Sequence, residues 1–320
     1  MNTFSKLLLY CSLTFILQSC TSVLLVETTM PPEVAVSNEQ WKVVTVNRFN
    51  PAQLPFSREK KVTTFTHGAS EALLGATEAI LQDPTFSLAG TDTSATYLSD
   101  DKNLGLSQEQ AQMLYQQYPH HLILSLDNID AFFDQETVKD KENDGTVRKT
   151  AHYTLLTRTA WTLYDSTGHV LDRITLSRAE PYDSRGVISG LLAIGPSLVN
   201  AGPVINKLAW QTGQDYWQRL HPKKVSFERL YYSNKEFAQA AYSMAANDWE
   251  SAILRLTPLA ENGSRKTAAK AAYNLAVVYE AKGDITNAKQ WARESAKKGN
   301  KLALLLLPDL AKYNSQINAR

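Results

Sequence analysis

Apolar and polar positions change period along the chain, and those changes divide it. Residues 41–48 (WKVVTVNR) are short and rich in β-branched residues, the pattern of a buried strand. In residues 69–82 (ASEALLGATEAILQ) the apolar positions recur at helical spacing. A second helix is predicted over 107–118, where Ser107 and Gln110 stand in capping-box spacing and Pro119 ends the pattern. Residues 121–127 (HLILSLD) return to a strand pattern, so the chain opens as β-α-β. Two long strand-like runs follow, 121–138 and 147–165, joined by KDKENDG, whose Asp144-Gly145 pair is a hairpin signal. In the second run Tyr153, Leu155, Thr157, Thr159, Trp161 and Leu163 share one face, and a third run, 169–178, is reached through DSTG. Residues 181–203 are rich in Gly and Pro with an aliphatic centre. They read as a partly buried connector, because the apolar run is too short to span a membrane. Residues 203–220 give an amphipathic helix with Ile205, Leu208, Ala209, Thr212, Tyr216, Trp217 and Leu220 on one face, and HPKKVSFERLYY closes a domain over 41–233. The fold class is α+β: a mixed sheet with an antiparallel meander and flanking helices, followed by an all-α region.

That all-α region, 234–320, repeats. The unit over 271–300 resembles the tetratricopeptide repeat. Leu275, Ala276 and Tyr279 match the large–small–large triad of its first helix, Gly283-Asp284 the turn, and Ala288 the small residue where the two helices cross. Ala292 and Ser295 fill later positions less typically, and no proline closes the unit. Thirty-six residues upstream, AANDWESAILRL aligns Asn247 with Gly283, Asp248 with Asp284, Trp249 with Ile285 and Ala252 with Ala288. Two hairpins fall short of the roughly three repeats that stand alone. Residues 301–312 are therefore expected to cap the array, and Trp210, Trp217 or Tyr231 to brace it from the amino-terminal domain. The resemblance implies a concave face for a peptide or protein partner, with Lys270, Tyr273 and Val277 on or near it. Nine basic against three acidic residues over 262–301 suit a partner of acidic character, and an ordinary solvated helix surface equally well.

The amino terminus reads as a targeting segment. Lys6 precedes an apolar stretch over 7–17, shorter than the roughly 20 residues a membrane-spanning helix needs and suited to a signal peptide. Leu17-Gln18-Ser19-Cys20 resembles the lipobox of bacterial lipoproteins, with Gln18 departing from the usual small or aliphatic residue. The resemblance implies removal of residues 1–19 and lipid attachment at Cys20, with three acyl chains giving a membrane anchor far stronger than one. An ordinary signal peptide cut elsewhere, or an uncleaved anchor, is the alternative. Residues 20–40 then read as a lipidated tether. No Asp or acidic run follows Cys20, which by analogy with lipoprotein sorting signals points to the periplasmic face of the outer membrane before the cell surface.

Composition narrows the chemistry. With Cys11 removed, the mature chain would hold Cys20 alone, so neither a disulfide nor a thiol-ligated metal site is expected. The 33 basic and 32 acidic residues lose only Lys6 with the signal peptide, leaving a neutral body without the basic excess that nucleic acid requires. There is no GxxxxGK[ST], GxGxxG or HExxH, and Gly186-Val-Ile-Ser189-Gly190 has its serine one place too late for a GxSxG elbow. The six histidines are scattered. His120 and His121 start a strand, point to opposite faces, and read as surface or edge residues. Asp127, Asp130 and Asp134 fit a strand end and a polar turn, and 140–145 lacks the ligand alternation of a calcium loop. No catalytic residue and no cofactor is expected.

The lipobox cysteine, VVTVNRF, AWTLYDSTGHVLDR, GQDYWQRLHPKKVSFERLYY and the helical tail together resemble an uncharacterised lipoprotein family of Bacteroidota, a domain of unknown function. The likeness covers nearly all of the mature chain and its motifs are structural, so it implies the architecture and no activity. The function expected is that of a lipid-anchored cell-envelope protein acting as a non-catalytic protein-interaction or assembly module. Two alternatives come from other classes: a hydrolase of envelope glycan or peptidoglycan using dispersed carboxylates, and a secretion or assembly subunit that oligomerises through the meander.

Overall fold

The protein is described by a computed structural model covering residues 21–36, 40–55, 58–99, 105–141, 145, 147–186 and 195–315. The predicted signal sequence, Cys20, Asp144 of the hairpin tip and the aliphatic centre of the connector lie outside the described residues. The chain forms two units. One is continuous, Val36–His221, and the other joins the residues up to Ala35 with Pro222–Arg320. Strand β1 (Thr21–Met30) belongs to the second unit, and its partner strand follows only after the continuous unit is complete.

In the continuous unit, β2 (Trp41–Asn47) leads through helix α1 (Glu59–Leu81) to β3 (Phe86–Asp92), then through α2 (Gln108–Gln117) to β4 (Leu122–Lys141). Strands β5 (Val147–Asp165) and β6 (Val170–Gly186) complete a sheet of order β3-β2-β4-β5-β6, and α3 (Gly202–Gln218) ends the unit. β2 pairs in parallel with both β3 and β4, and the β4-β5-β6 half is the antiparallel meander. β2 is buried on both faces, hence its unbroken β-branched run. Val44 and Val46 pack with Ile123, Ala111 and Leu114 of α2 on one side. On the other, the Thr45 hydroxyl lies 3.3 Å from that of Thr77 on α1. The predicted face of β5 packs toward α3, where the Trp161 and Tyr216 rings meet at a tilt, 5.6 Å between centroids.

Helices α1 and α3 touch backbone to backbone. A Cβ on Gly213 would stand 2.1 Å from the Ala72 carbonyl oxygen, and one on Gly75 2.1 Å from that of Trp210. Trp210 and Trp217 each donate an indole N–H within this unit, to Glu78 at 2.9 Å and Asp83 at 2.7 Å.

The second unit starts from a ribbon. β7 (Lys223–Tyr232) pairs antiparallel with β1 over its whole length, from Thr21 opposite Tyr232 to Met30 opposite Lys223. Residues 21–30 of the expected tether are therefore a strand. The segment expected to close the α+β domain instead joins the helical unit. Alternation explains why the ribbon holds: Leu24, Val26, Phe227 and Tyr231 turn inward to one core with the helices. Those helices are α4 (Ala238–Ala245), α5 (Trp249–Asn262), α6 (Arg265–Ala281), α7 (Ile285–Lys297) and α8 (Lys301–Ser315).

The repeated turn is visible in backbone geometry. Asn247 and Gly283, aligned 36 residues apart, both take positive φ, 57° and 78°. In each case the next residue's N–H reaches five residues back, Asp248 to Ser243 and Asp284 to Tyr279, as in a Schellman ending. Asp248 and Asp284 then cap the following helices through Ser251 N–H and Asn287 N–H. Gly299-Asn300 repeats the ending between α7 and α8, with φ 94° and a bond from Asn300 N–H to Ser295. Ala252 and Ala288 are fully buried, as expected of residues where paired helices cross.

Candidate functional site

Two polar centres stand out, one in each unit, and each is built around an inward-facing arginine, Arg48 fully buried and Arg229 partly so. In the continuous unit Arg48 follows β2 and is 1 % exposed. A bulge in β4 between Leu126 and Asn128 takes Asp127 out of the ladder, so its carboxylate meets Arg48 at 3.3 Å. Asp127 accepts from Ser125 at 2.6 Å and Thr162 at 2.5 Å. Arg48 also donates to the carbonyls of Tyr97 and Gly105, both at 3.0 Å, tying down the loop after β3. Burial raises the Asp127 pKa against the pull of its hydroxyl partners, Arg48 and Arg173. The centre lies at the carboxyl end of a parallel strand, where open α/β sheets often place ligands. Here its groups are turned on one another, and the arrangement acts as a loop brace.

Asp127 thus sits at a bulge within a strand that continues to Lys141, and not at a strand end; Asp130 and Asp134 are exposed further along it. His121 matches its edge assignment, accepting from Lys42 N–H at 2.9 Å and stacking on Trp41. His120 does not: it is buried, its Nδ1–H donates to the Tyr118 carbonyl at 2.5 Å, and its Nε2 has no partner. Among the described residues no three His, Cys, Asp or Glu side chains form a set that could hold a metal ion.

The second centre lies between the ribbon and α6. The Asn274 amide, fully buried, grips the Tyr232 backbone at two points: its Oδ1 accepts from Tyr232 N–H and its Nδ2 donates to Tyr232 O, both at 2.8 Å. Arg229 reaches inward from β7 to Glu280, which is 0 % exposed, with Nε and Nη2 on the two carboxylate oxygens at 2.9 and 2.8 Å. Its Nη1 meets Asp309 of α8 at 2.9 Å, and Tyr313 donates to Glu280 at 3.3 Å. The planar guanidinium suits this double engagement as an ammonium would not. Lys270 lies 4.9 Å over the Tyr232 ring, and Tyr273 meets that ring edge-on at 5.8 Å. A main-chain clamp of this kind holds an extended segment whatever its side chains, and charge and aromatic contacts fix which segment it is.

The structure therefore brings the predicted partner-binding residues to one place and fills that place from within. Tyr273 and Val277 are buried in the unit's core, Lys270 is half-buried, and β7 lies against their helix. Burial pushes the Tyr273 hydroxyl up to about 12, with Arg229 opposing and Tyr232 and Glu280 adding to the rise. The strand that covers these residues lies about forty residues upstream in the chain, in a stretch that reads as the end of another domain. The sequence signal was present in Arg229, an arginine set between Phe227 and Tyr231 on one face of a short alternating run. Beside β1, a cleft of about 470 Å³ is lined by Leu24, Leu25, Glu27, Ala245, Asn247, Trp249 and Ala281. Tyr231, the third expected brace, is buried in this same unit.

Fold and site define a class: a mixed-sheet α+β unit coupled in sequence to helical hairpins that clamp a strand of their own chain. The chain belongs to the family described as a domain of unknown function (DUF8603), whose model matches residues 40–232. A second model, also described as a domain of unknown function (DUF6340), matches residues 238–318. No curated protein matches the chain. The boundary between the two models falls after β7, inside one structural unit, since β7 pairs with β1 and packs on α6.

Proposed function

We propose that the protein is a lipid-anchored, non-catalytic assembly module of the bacterial cell envelope, held by acyl chains on Cys20 at the periplasmic face of an outer membrane. Its helical hairpins are tetratricopeptide-like and serve as a socket, and the α+β unit recognises an envelope protein partner. The observation that carries this reading is the clamp of Asn274 and Glu280 on β7, whose partner strand begins one residue after Cys20. A helical array that spends its gripping face on β7, the partner of the strand that follows Cys20, is a socket for the anchored end of the chain. That leaves recognition to the other unit.

The test uses cells grown with an alkyne-tagged fatty acid. The full protein takes up the label and fractionates with the outer membrane, and Cys20→Ser does neither. A second chain, with Val36–His221 replaced by a short Gly/Ser linker between Ala35 and Pro222, separates the units. In-cell crosslinking and affinity purification are expected to yield a defined envelope protein with the full chain and to lose it with the excised one. Retention of the partner by the excised chain would move recognition to the helical unit. No defined partner with the full chain would overturn the interaction reading.

A further inference from the structure

Large exposed aliphatic side chains gather on the outer face of the ribbon. Val23 and Leu25 are 58 % and 57 % exposed, and Leu230 is 44 % exposed. They are neighbours by register: Val23 lies directly opposite Leu230, and Leu25, two residues along β1, is on the same face. Alternation sends Leu24 and Val26 into the core, so this outward set is separate from the packing that holds the ribbon.

The rest of that face is polar. Glu228 stands opposite Leu25, Ser226 opposite Glu27 and Lys224 opposite Thr29, so the aliphatic character is confined to the end nearest Cys20. That end is also tied. Thr21 is already paired with Tyr232, and the Ser22 and Ser233 hydroxyls bond at 2.7 Å. Consecutive Cα atoms are about 3.8 Å apart, so lipid on Cys20 has one peptide unit of slack before it meets a fixed strand.

We infer that the outer face of the ribbon, through Val23, Leu25 and Leu230, rests on the lipid surface that holds the anchor. The inference rests on the reading of Cys20 as acylated. Its chemistry is that of interfacial binding: acyl chains supply the hold, and aliphatic side chains beside them enter the headgroup boundary while Glu27, Glu228 and Lys224 stay in water. The charge pattern selects a bilayer over a second copy of the chain, since the wholly aliphatic pair Val23–Leu230 lies nearest the anchor, Leu25 faces Glu228, and only polar pairs lie beyond, as a depth gradient requires. The lipidated strand thereby fixes the orientation of the helical unit at the membrane as well as its distance.

The experiment places a photoreactive p-benzoylphenylalanine at Val23, Leu25 or Leu230 of the full chain, one at a time, with Thr29 and Ser226 as outer-face controls. All five positions lie on the ribbon's outer face, and Val23, Leu25 and Leu230 can be replaced outside the core. Cells carry an alkyne-tagged fatty acid, which also marks Cys20. After irradiation, phospholipid adducts are expected at 23, 25 and 230, several-fold above those at 29 and 226. A crosslinked dimer of the chain from 25 would name a second copy as the occupant and overturn the inference. So would acylated Cys20 with no lipid adduct at any of the three sites, an outcome that leaves the anchor reading intact. Absence of acyl label on Cys20 would overturn the anchor reading and this inference together.

Discussion

At the scale of single residues, the clearest constraint is the left-handed backbone at the helix turns. Gly283 takes φ 78°, and a Cβ there would meet nothing within 4 Å. The cost of Gly283→Ala is therefore conformational alone, about 1–2 kcal/mol, read as a lower denaturation midpoint with an unchanged native spectrum. His120 carries a second prediction. Its pKa lies below the ordinary 6.5, mainly because burial disfavours the charged ring; the Tyr118 carbonyl opposes the shift and His121 adds to it. A depressed folded-state pKa means the unfolded chain binds a proton that the folded chain refuses. Stability from this group is whole above pH 6.5 and falls as pH drops from there toward the folded value. Denaturant midpoints measured from pH 8 to 5 are expected to show that decline, and His120→Gln to flatten it. Residues acting through near neighbours were legible in sequence: Ser107 and Gln110 do form the capping box, and Asn247 and Gly283 the matching turns. Arg48 was not, because Asp127 is 79 residues away and is aimed by a bulge that composition does not announce.

Among whole elements, close approach and buried charge set the tolerances. Gly213 lets α3 lie against the backbone of α1, and Gly213→Ala must push the helices apart. A loss of about 1–3 kcal/mol is expected, seen as lower thermal stability of the Val36–His221 unit. Arg229→Met would leave Glu280 buried without its bidentate partner. The expected loss is about 3–5 kcal/mol, concentrated in the helical unit and visible as lost amide protection in α6. Helix α1 begins ten residues before its apolar pattern does. Its first turns hold Thr63, Thr64 and Thr66, whose hydroxyls return to the carbonyls four residues back, a local satisfaction that masks the helical period. Strand β3 (FSLAGTD) was missed for a related reason: it is a polar edge strand, with one neighbour in the sheet. The meander and α3 were legible, since alternation and helical spacing there are strong.

Across the whole molecule, the division into units departs most from the sequence order. Met30 and Lys223 are cross-strand partners, so excising Val36–His221 leaves two ends that start from one rung of the ribbon, five residues beyond Met30 and one before Lys223. The excised chain with a short linker is expected to fold, giving a helical circular-dichroism spectrum and one cooperative unfolding transition. A disordered product would show that the helical unit depends on the segment removed. None of this could be read from local pattern, because pairing between β1 and β7 leaves no trace in either strand alone, and TSVLLVETTMPPE has the composition of a linker.

The ribbon also orders events in time. Ser22 and Ser233 are 211 residues apart in the chain yet bonded in the fold. During synthesis β1 precedes the other strands and waits for the entire α+β unit before its partner exists. Closing so long a loop from a disordered chain is slow, but folding of Val36–His221 shortens the gap to the width of that unit. The first strand is thus made before any other and is among the last to be secured, an apolar edge left unpaired while the α+β unit is completed. Whatever escorts this protein must shield Thr21–Met30 longest.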